Sequence, residues 1–239
     1  MFFWGWEIGM EIKGLQKLTL LDFPGKLACT VFTGGCNFRC PFCHNASLVI
    51  PSKFGGAMPT EEFFGFLEKR RGILQGVCVS GGEPTLMFDL EEFIARIKSM
   101  GFSVKLDTNG SRPEVIRTLV EKGLVDYVAM DIKNALDMYP KTIGVDDFDV
   151  SPIRESAEYL MSGAVDYEFR TTLVSGHHTE REIEEIGKWL GGAKRLYLQN
   201  FVDSGDLISE ACSGVDKNTT ETLCNLLKNY IPDCEIRGL

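Results

Sequence analysis

Three of the eight cysteines lie within eight residues of one another, at Cys36, Cys40 and Cys43. Three residues separate the first pair and two separate the second, so all three thiols lie on one short loop. Thiolates on such a loop can each bind one iron of a cubane cluster, and the loop offers no fourth cysteine. An iron without a protein ligand is open to a substrate, as a catalytic metal site requires. The spacing therefore predicts one [4Fe–4S] cluster with one open iron.

A zinc site built from the same three cysteines and His44 is the alternative for this loop. His44 directly follows Cys43, and neighbouring side chains diverge rather than converge on one ion. Zinc ligands also tend to come as separated pairs, so the spacing favours the cluster. The remaining cysteines are expected to be ordinary residues, because two lie in apolar runs and the others are too widely spaced for a second cluster. These are Cys29, Cys78, Cys212, Cys224 and Cys234.

The chain alternates short apolar or β-branched runs with amphipathic stretches, which predicts strands alternating with helices. We expect strands at 27–32, 76–80, 103–107, 127–131, 167–173 and 195–200, and helices near 60–71, 89–100, 113–122, 152–162, 179–190 and 219–229. Such an alternation predicts an α/β fold with a mostly parallel sheet joined by right-handed crossovers. Six units are too few for the closed eight-stranded barrel. An open doubly wound sheet and a partial barrel both fit the pattern.

Polar and glycine residues follow the strands at their C-terminal ends, where α/β folds assemble their sites. Gly81 and Gly82 allow a close backbone approach, and Glu83 offers a carboxylate for a cationic amine. The third strand ends in Asp107 and Thr108. These two residues could form a turn that caps the next helix, or they could bind a ligand, and taken alone the pattern favours neither role.

Charged residues also mark the fourth and fifth strands. Asp131 and Lys133 end the fourth strand, and each needs a partner if it is buried. On the fifth strand Arg170 shares one face with Glu168, because side chains alternate with a period of two. The pair His177-His178 follows this strand, and a solvated turn is its expected role because no third metal ligand is near.

The loop from Gly34 to Asn45, with the sequence GGCNFRCPFCHN, resembles the signature of the radical S-adenosylmethionine (SAM) enzymes. It is similar, more narrowly, to the activases of glycyl radical enzymes. Within those it is most similar to anaerobic ribonucleoside-triphosphate reductase activating proteins and close to pyruvate formate-lyase activating enzymes. The resemblance extends from about Leu21 to Gly238. It implies the partial (β/α)6 barrel of the radical SAM type.

The resemblance implies a role for each matching position. Cys36, Cys40 and Cys43 would hold the cluster and act as the catalytic residues, and Phe42 would stack on adenine, although ordinary packing suits a phenyl ring equally. Asp107, Thr108 and Asp131 would also hold a monovalent cation. The full set implied to bind SAM is Phe42, His44, Gly81, Gly82, Glu83, Asp107, Thr108, Asp131, Lys133 and Arg170.

The activity implied by the resemblance is reductive cleavage of SAM to a 5′-deoxyadenosyl radical, which takes hydrogen from a glycine of a partner protein. The implied partners are a glycyl radical enzyme and a reduced flavodoxin or ferredoxin-like electron donor. Pyruvate formate-lyase activases tend to have a Tyr-His pair where this chain has Asn200-Phe201, which favours the ribonucleotide-reductase branch. Three alternatives remain: a pyruvate formate-lyase-type activase, a small-molecule enzyme similar to deazaguanine synthases, and a non-catalytic iron–sulfur or zinc protein.

Composition limits the class of protein further. The formal net charge is −9, which argues against a nucleic-acid partner because such a partner needs a basic face. No run reaches the length of a membrane span, and the apolar opening Met1–Trp6 lacks the basic flank of a signal peptide. With no export signal, reduced thiols are expected, so we predict a cytoplasmic protein. We predict one domain over residues 1–239, with a core at about 21–202 and a C-terminal helix and strand at about 203–239.

Overall fold

The computed structural model describes residues 9–53, 55–209 and 211–238, so the segment Met1–Trp6 lies outside the described part of the chain. The chain divides into two compact units, each with its own internal contacts. The first contains the residues up to Asn37 together with Ser47–Thr108 and Glu114–Tyr127. The second contains Phe38–Ala46, Asn109–Pro113 and the residues from Val128 onward. A single domain over 1–239 stays a prediction.

The sheet of the first unit has the order β1-β2-β3-β4. Its strands are β1 (Ile12–Thr19), β2 (Ala28–Thr33), β3 (Gly76–Gly81) and β4 (Ser103–Thr108). β2 pairs with β3 in parallel, and β3 pairs with β4 in parallel, whereas β1 runs antiparallel to β2. The first four residues of both β2 and β3 are buried, as expected for strands covered on both faces.

The first four helices are α1 (Ala46–Val49), α2 (Thr60–Glu68), α3 (Leu90–Ser99) and α4 (Pro113–Glu121). α2 and α3 share an aromatic core, because the rings of Phe63 and Phe93 stack with centroids 5.4 Å apart. Phe64 packs on Phe93 at 5.3 Å. These contacts use the apolar faces that the helical periodicity of the sequence predicts.

The second unit repeats the pattern with strands β5 (Tyr127–Asp131), β6 (Asp166–Leu173), β7 (Leu196–Asn200) and β8 (Cys234–Arg237), in that spatial order. β6, β7 and β8 pair in parallel. Its helices are α5 (Tyr139–Ile143), α6 (Ser151–Met161), α7 (Glu180–Trp189) and α8 (Lys217–Leu227). At the start of α7, Thr179 and Glu182 form the capping box that their spacing predicts.

The predicted α/β fold with a mostly parallel sheet is confirmed, and each predicted strand and helix is found within a few residues. The pattern does not predict β1. Only Ile12 and Thr19 are buried in that strand, and its register with β2 is irregular, so it lacks the alternation by which strands are recognised. Within the described residues, no helix is long and apolar enough to cross a membrane.

The cysteines outside the loop lie largely in the interior. Cys29 and Cys78 are fully buried in β2 and β3, as predicted for small core residues. Cys224 on α8 and Cys234 on β8 are also buried, and their sulfur atoms lie 3.6 Å apart as free thiols. The sequence did not predict this contact, because nine residues separate the two positions.

Candidate active site

The cysteine loop begins directly after β2, and Cys36 lies three residues beyond that strand. Cys36 belongs to the first unit, and Cys40 and Cys43 belong to the second. Backbone hydrogen bonds hold the second part of the loop: the Cys43 amide donates to the Cys40 carbonyl at 3.0 Å, and the Arg39 amide donates to the Ile143 carbonyl at 2.8 Å. The Pro41 carbonyl accepts from the Ser209 amide at 3.0 Å. The two thiols therefore lie on a fixed backbone.

The surroundings of these thiols favour the protonated form until a metal binds. Burial raises the pKa of Cys40 to about 11, although the charge of Lys133 opposes the shift. Burial likewise raises the pKa of Cys43, again against Lys133. Because only a thiolate binds iron, loading the site has to release protons. Lys133 is the cation that favours this release.

The Gly81-Gly82 turn after β3 lies directly against the start of the cysteine loop. The Gly82 amide donates to the Thr33 carbonyl at 3.0 Å, and the Glu83 amide donates to the Gly35 carbonyl at 2.8 Å. A β-carbon on Gly82 would lie 1.9 Å from the Gly35 oxygen, and Gly81 has a φ of +126°. The close approach that the two glycines permit is therefore to protein backbone. This contact fixes the position of Glu83.

Glu83 is fully buried, and its Oε1 atom accepts three hydrogen bonds. The donors are the Thr85 amide at 3.1 Å, the Thr85 hydroxyl at 2.5 Å and the Thr108 hydroxyl at 2.7 Å. Burying a carboxylate is costly unless it is hydrogen-bonded or paired with a cation. These hydrogen bonds fix the carboxylate of Glu83, the group to which the resemblance assigns a role in binding SAM.

Asp107, at the end of β4, is engaged through both carboxylate oxygens. Lys105 forms an ion pair with its Oδ1, and the Ser80 hydroxyl donates to Oδ2 at 3.0 Å. Lys105 was not predicted as a site residue. A lysine between the apolar residues Val104 and Leu106 of a strand was the signal in the sequence.

In the second unit, Asp131 forms ion pairs with two cationic side chains, Lys133 and Arg170, and these three residues are called the Asp131 cluster below. Lys133 Nζ lies 2.9 Å from its Oδ2, and Arg170 Nε lies 2.9 Å from its Oδ1. Burial alone would raise the pKa of Asp131, but Arg170 and Lys133 outweigh it and hold that pKa well below its ordinary value. Burial would lower the pKa of Lys133, but Asp131 more than compensates and raises it. The cluster therefore carries a net positive charge, suited to a carboxylate.

Arg170 reaches Asp131 from within β6 rather than from the end of the strand. The sequence places Arg170 within this strand, and the structure agrees. Arginine is long enough to carry its charged group well beyond its own backbone, so it can reach Asp131 from there. Glu168, on the same face, has a different partner: Arg237 on β8 forms a bidentate pair with it at 2.8 and 2.9 Å. Arg237 also stacks on the ring of Tyr197 at 3.3 Å.

Two buried residues that the sequence did not predict fix the backbone of Lys133. The Lys133 amide donates to the Tyr139 hydroxyl at 3.1 Å. The Lys133 carbonyl lies 2.9 Å from Nε2 of His178, whose Nδ1 accepts from the Val174 amide at 3.0 Å. These contacts assign the neutral tautomer with the proton on Nε2. A solvated turn was therefore the wrong expectation for His178, which is almost fully buried.

Phe42 and His44 flank Cys43 in different ways. The Phe42 ring is buried and meets the rings of His177 and His178 edge-on, with centroids 5.9 and 6.5 Å away. The His44 ring packs against Phe201 at 5.1 Å. Its Nε2 atom is buried and has no hydrogen-bond partner within the described residues. An unpartnered buried polar atom is costly, so His44 is suited to receive a polar group of a ligand.

The residues present fit an iron–sulfur cluster and SAM. Thiols are soft ligands that suit iron–sulfur clusters, and the positive Asp131 cluster and the His44 nitrogen suit the polar ends of a ligand. Among residues 9–53, 55–209 and 211–238, no three His, Cys, Asp or Glu side chains converge on a single metal ion. A cubane cluster makes a different demand, because each cysteine binds a separate iron.

Replacing His178 with glutamine tests its role in fixing Lys133. Burial lowers the pKa of His178 below its ordinary value of 6.5, so the unfolded chain binds a proton more readily than the folded one. Stability from the neutral ring is therefore present above pH 6.5 and lost as pH falls below it. We expect His178→Gln to cost about 1–2 kcal/mol at neutral pH and to flatten this loss. Denaturant unfolding over a pH series measures both effects.

His177→Gln is the matched control, because the His177 ring is half-buried and its pKa is lowered by partial burial and by Lys141. This control is expected to keep most of the acid sensitivity. An equal flattening in both variants would show that the buried His178 ring has no special role.

The chain belongs to the radical SAM superfamily, whose family model matches residues 30–190. Members of this superfamily use a [4Fe–4S] cluster and SAM, and the chain is an enzyme of the oxidoreductase type. The match contains the cysteine loop and every residue predicted for the site.

Two relatives within this superfamily are similar to the chain in sequence. A Methanocaldococcus jannaschii protein, provisionally named a glycyl-radical enzyme activating enzyme, is 34% identical over 234 residues, covering 95% of this chain and 96% of its own. The pyruvate formate-lyase-activating enzyme of Listeria monocytogenes is 31% identical over 142 residues. That alignment covers 53% of this chain and 54% of the relative.

A solved structure shares the fold. Streptococcus suis SuiB bound to its precursor peptide SuiA superimposes with a TM-score of 0.67 at 15% identity. The match covers 85% of this chain and 47% of SuiB, so this chain spans about half of that protein. At this identity the likeness concerns the fold alone.

Proposed function

We propose that this chain activates a glycyl radical enzyme. The observation that carries the proposal is its similarity to the M. jannaschii relative along nearly the whole length of both chains. The arrangement within each unit supports it, since Glu83 in the first and the Asp131 cluster in the second suit the amine and the carboxylate of an amino acid.

When bound, a [4Fe–4S] cluster would supply the electron that cleaves SAM, and the side chains would bind and orient the substrate. Cys36, Cys40 and Cys43 would hold the cluster. Glu83 binds the amino group, and Lys133 and Arg170 attract the carboxylate. Fixing these groups in advance avoids the entropic cost of ordering them during the reaction. A reduced flavodoxin or ferredoxin-like protein is the proposed electron donor, and the cytoplasm is the proposed location.

The proposed partner is the anaerobic ribonucleoside-triphosphate reductase. Support comes from Asn200 and Phe201, where pyruvate formate-lyase activases tend to have a Tyr-His pair. The Asn200 side chain is used within the protein, since its Nδ2 donates to the Val215 carbonyl at 2.7 Å and its Oδ1 accepts from the Val215 amide at 3.0 Å. Phe201 packs on His44. Asn200 therefore holds the backbone at Val215, and Phe201 positions the ring of His44.

Anaerobic incubation with candidate glycyl radical enzymes tests the proposal. The reconstituted chain, with SAM and a reductant, is mixed with the anaerobic ribonucleotide reductase or with pyruvate formate-lyase. We expect an EPR doublet from a glycyl radical on the reductase and one 5′-deoxyadenosine per radical. A reductase whose acceptor glycine is replaced by alanine is the control.

The outcomes separate the alternatives. An EPR doublet on pyruvate formate-lyase alone would contradict the proposed partner and indicate a pyruvate formate-lyase-type activase. SAM cleavage that depends on a small molecule, with no doublet on either protein, would contradict an activase and favour a small-molecule enzyme. Iron–sulfur content with no SAM cleavage under any condition would contradict radical chemistry altogether.

A further inference from the structure

Lys105 is a buried cation that the proposed reaction does not use. It lies on β4, and its side chain is 1% exposed. Its ammonium group forms an ion pair with Asp107 Oδ1 and lies 3.8 Å from the sulfur of Cys78. A buried ammonium group persists only when it is paired, so Asp107 compensates the charge of Lys105.

Asp107 is also the residue that the family resemblance implies as a ligand of a monovalent cation. Its Oδ1 already faces the Lys105 ammonium group, and its Oδ2 accepts from the Ser80 hydroxyl. The second implied ligand, Thr108, donates its hydroxyl proton to Glu83 at 2.7 Å. A metal cation at Asp107 would have to lie close to the ammonium group, and like charges repel strongly where water is scarce.

We propose that the ammonium group of Lys105 takes the place of the monovalent cation at Asp107. The chain then supplies from its own sequence the positive charge that a sodium or potassium ion would bring. In the second unit, the third implied ligand, Asp131, has Lys133 and Arg170 on its two oxygens. Each implied carboxylate ligand therefore has a cation of this chain on at least one oxygen.

Thermal unfolding of the full chain, reconstituted anaerobically and without SAM, tests the proposal. We expect the wild-type Tm to be the same in potassium chloride, sodium chloride and choline chloride at equal ionic strength. Lys105→Ser leaves space and an oxygen ligand where the ammonium group lay. Its Tm should fall by at least about 5 °C in choline chloride, because Asp107 loses its counter-charge, and should recover partly in potassium or sodium chloride.

Lys122→Ser is the matched control, because it removes an exposed lysine that pairs with Glu91 at 2.6 Å. Its Tm should be insensitive to the choice of cation. A second variant separates charge from packing: Lys105→Met with Asp107→Asn removes both charges, and it should be more stable in choline chloride than Lys105→Met alone. If Lys105→Ser does not fold, this comparison decides the question.

Three results would overturn the inference. One is a wild-type Tm that rises specifically with sodium or potassium. Another is a Lys105→Ser variant that folds but gains no cation dependence. The last is a double variant no more stable than Lys105→Met. The inference uses the proposed SAM site only for its location, and all these measurements are made without SAM. Failure of the activase assay therefore leaves this test intact, and the reverse also holds.

Discussion

Replacing Cys40 with alanine is expected to abolish SAM cleavage, with the rate falling by at least about a thousandfold because no electron source remains at the site. The reason is the number of ligands: three cysteines already leave one iron open, and two cannot hold a cubane cluster in place. Iron and sulfide content, the visible absorbance of the cluster and 5′-deoxyadenosine production measure the loss together.

Cys212→Ala is the matched control for this experiment. Cys212 is a partly exposed free thiol outside the cysteine loop, and its replacement should leave the iron content and the cleavage rate close to wild type. A Cys40→Ala protein that retains a full cluster and cleaves SAM would refute the assignment of the loop. Equal losses in both variants would indicate general damage to the fold.

Replacing Asp131 with asparagine is expected to destabilise the protein and to weaken SAM binding. Lys133 and Arg170 would be left close together without their shared counter-charge. Their side chains are 19% and 16% exposed, so we expect a loss of about 2–3 kcal/mol, somewhat below the cost of breaking a fully buried pair. Denaturant unfolding measures the loss, and calorimetry with SAM measures the affinity.

The pH dependence of this effect has a defined sign. The folded pKa of Asp131 lies below its ordinary value of 3.8, so the ion pairs stabilise the folded state fully above that value. The stability is lost as the pH falls through the folded pKa, and the variant and wild type should converge in strong acid. Asp137→Asn, which breaks an exposed pair with Arg181, is the control and should change stability little. If Asp131→Asn lowered the free energy of unfolding as little as this control does, the stabilising role of the Asp131 ion pairs would be contradicted.

The regular part of the fold could be predicted because it follows from local patterns. Buried parallel strands are continuous apolar runs, and β3 begins at Gly76 and β5 spans Tyr127–Asp131 as predicted. β1 escaped prediction because its stability comes from pairing along one edge rather than from its own pattern. The polar motifs were visible because chemistry requires particular residue types, most of which follow strand ends.

The supporting residues of the site could not be predicted, because their roles arise from contacts distant in sequence. His178 contacts the carbonyl of Lys133, 45 residues away, and nothing in the local His-His pattern reveals that contact. Tyr139 follows an apolar stretch and resembles any core aromatic, yet it accepts from the Lys133 amide. Lys105 is different. Its partner Asp107 is only two residues away, so both members of the pair were visible in the sequence and only their contact was not.

The pair between Glu168 and Arg237 has a consequence for synthesis of the chain. Glu168 is 1% exposed, and its bidentate partner lies 69 residues later in the sequence. On the ribosome, this bidentate pair can therefore form only after β8 has been made. The packing around Glu168 is thus expected to be complete only once Arg237 has been added.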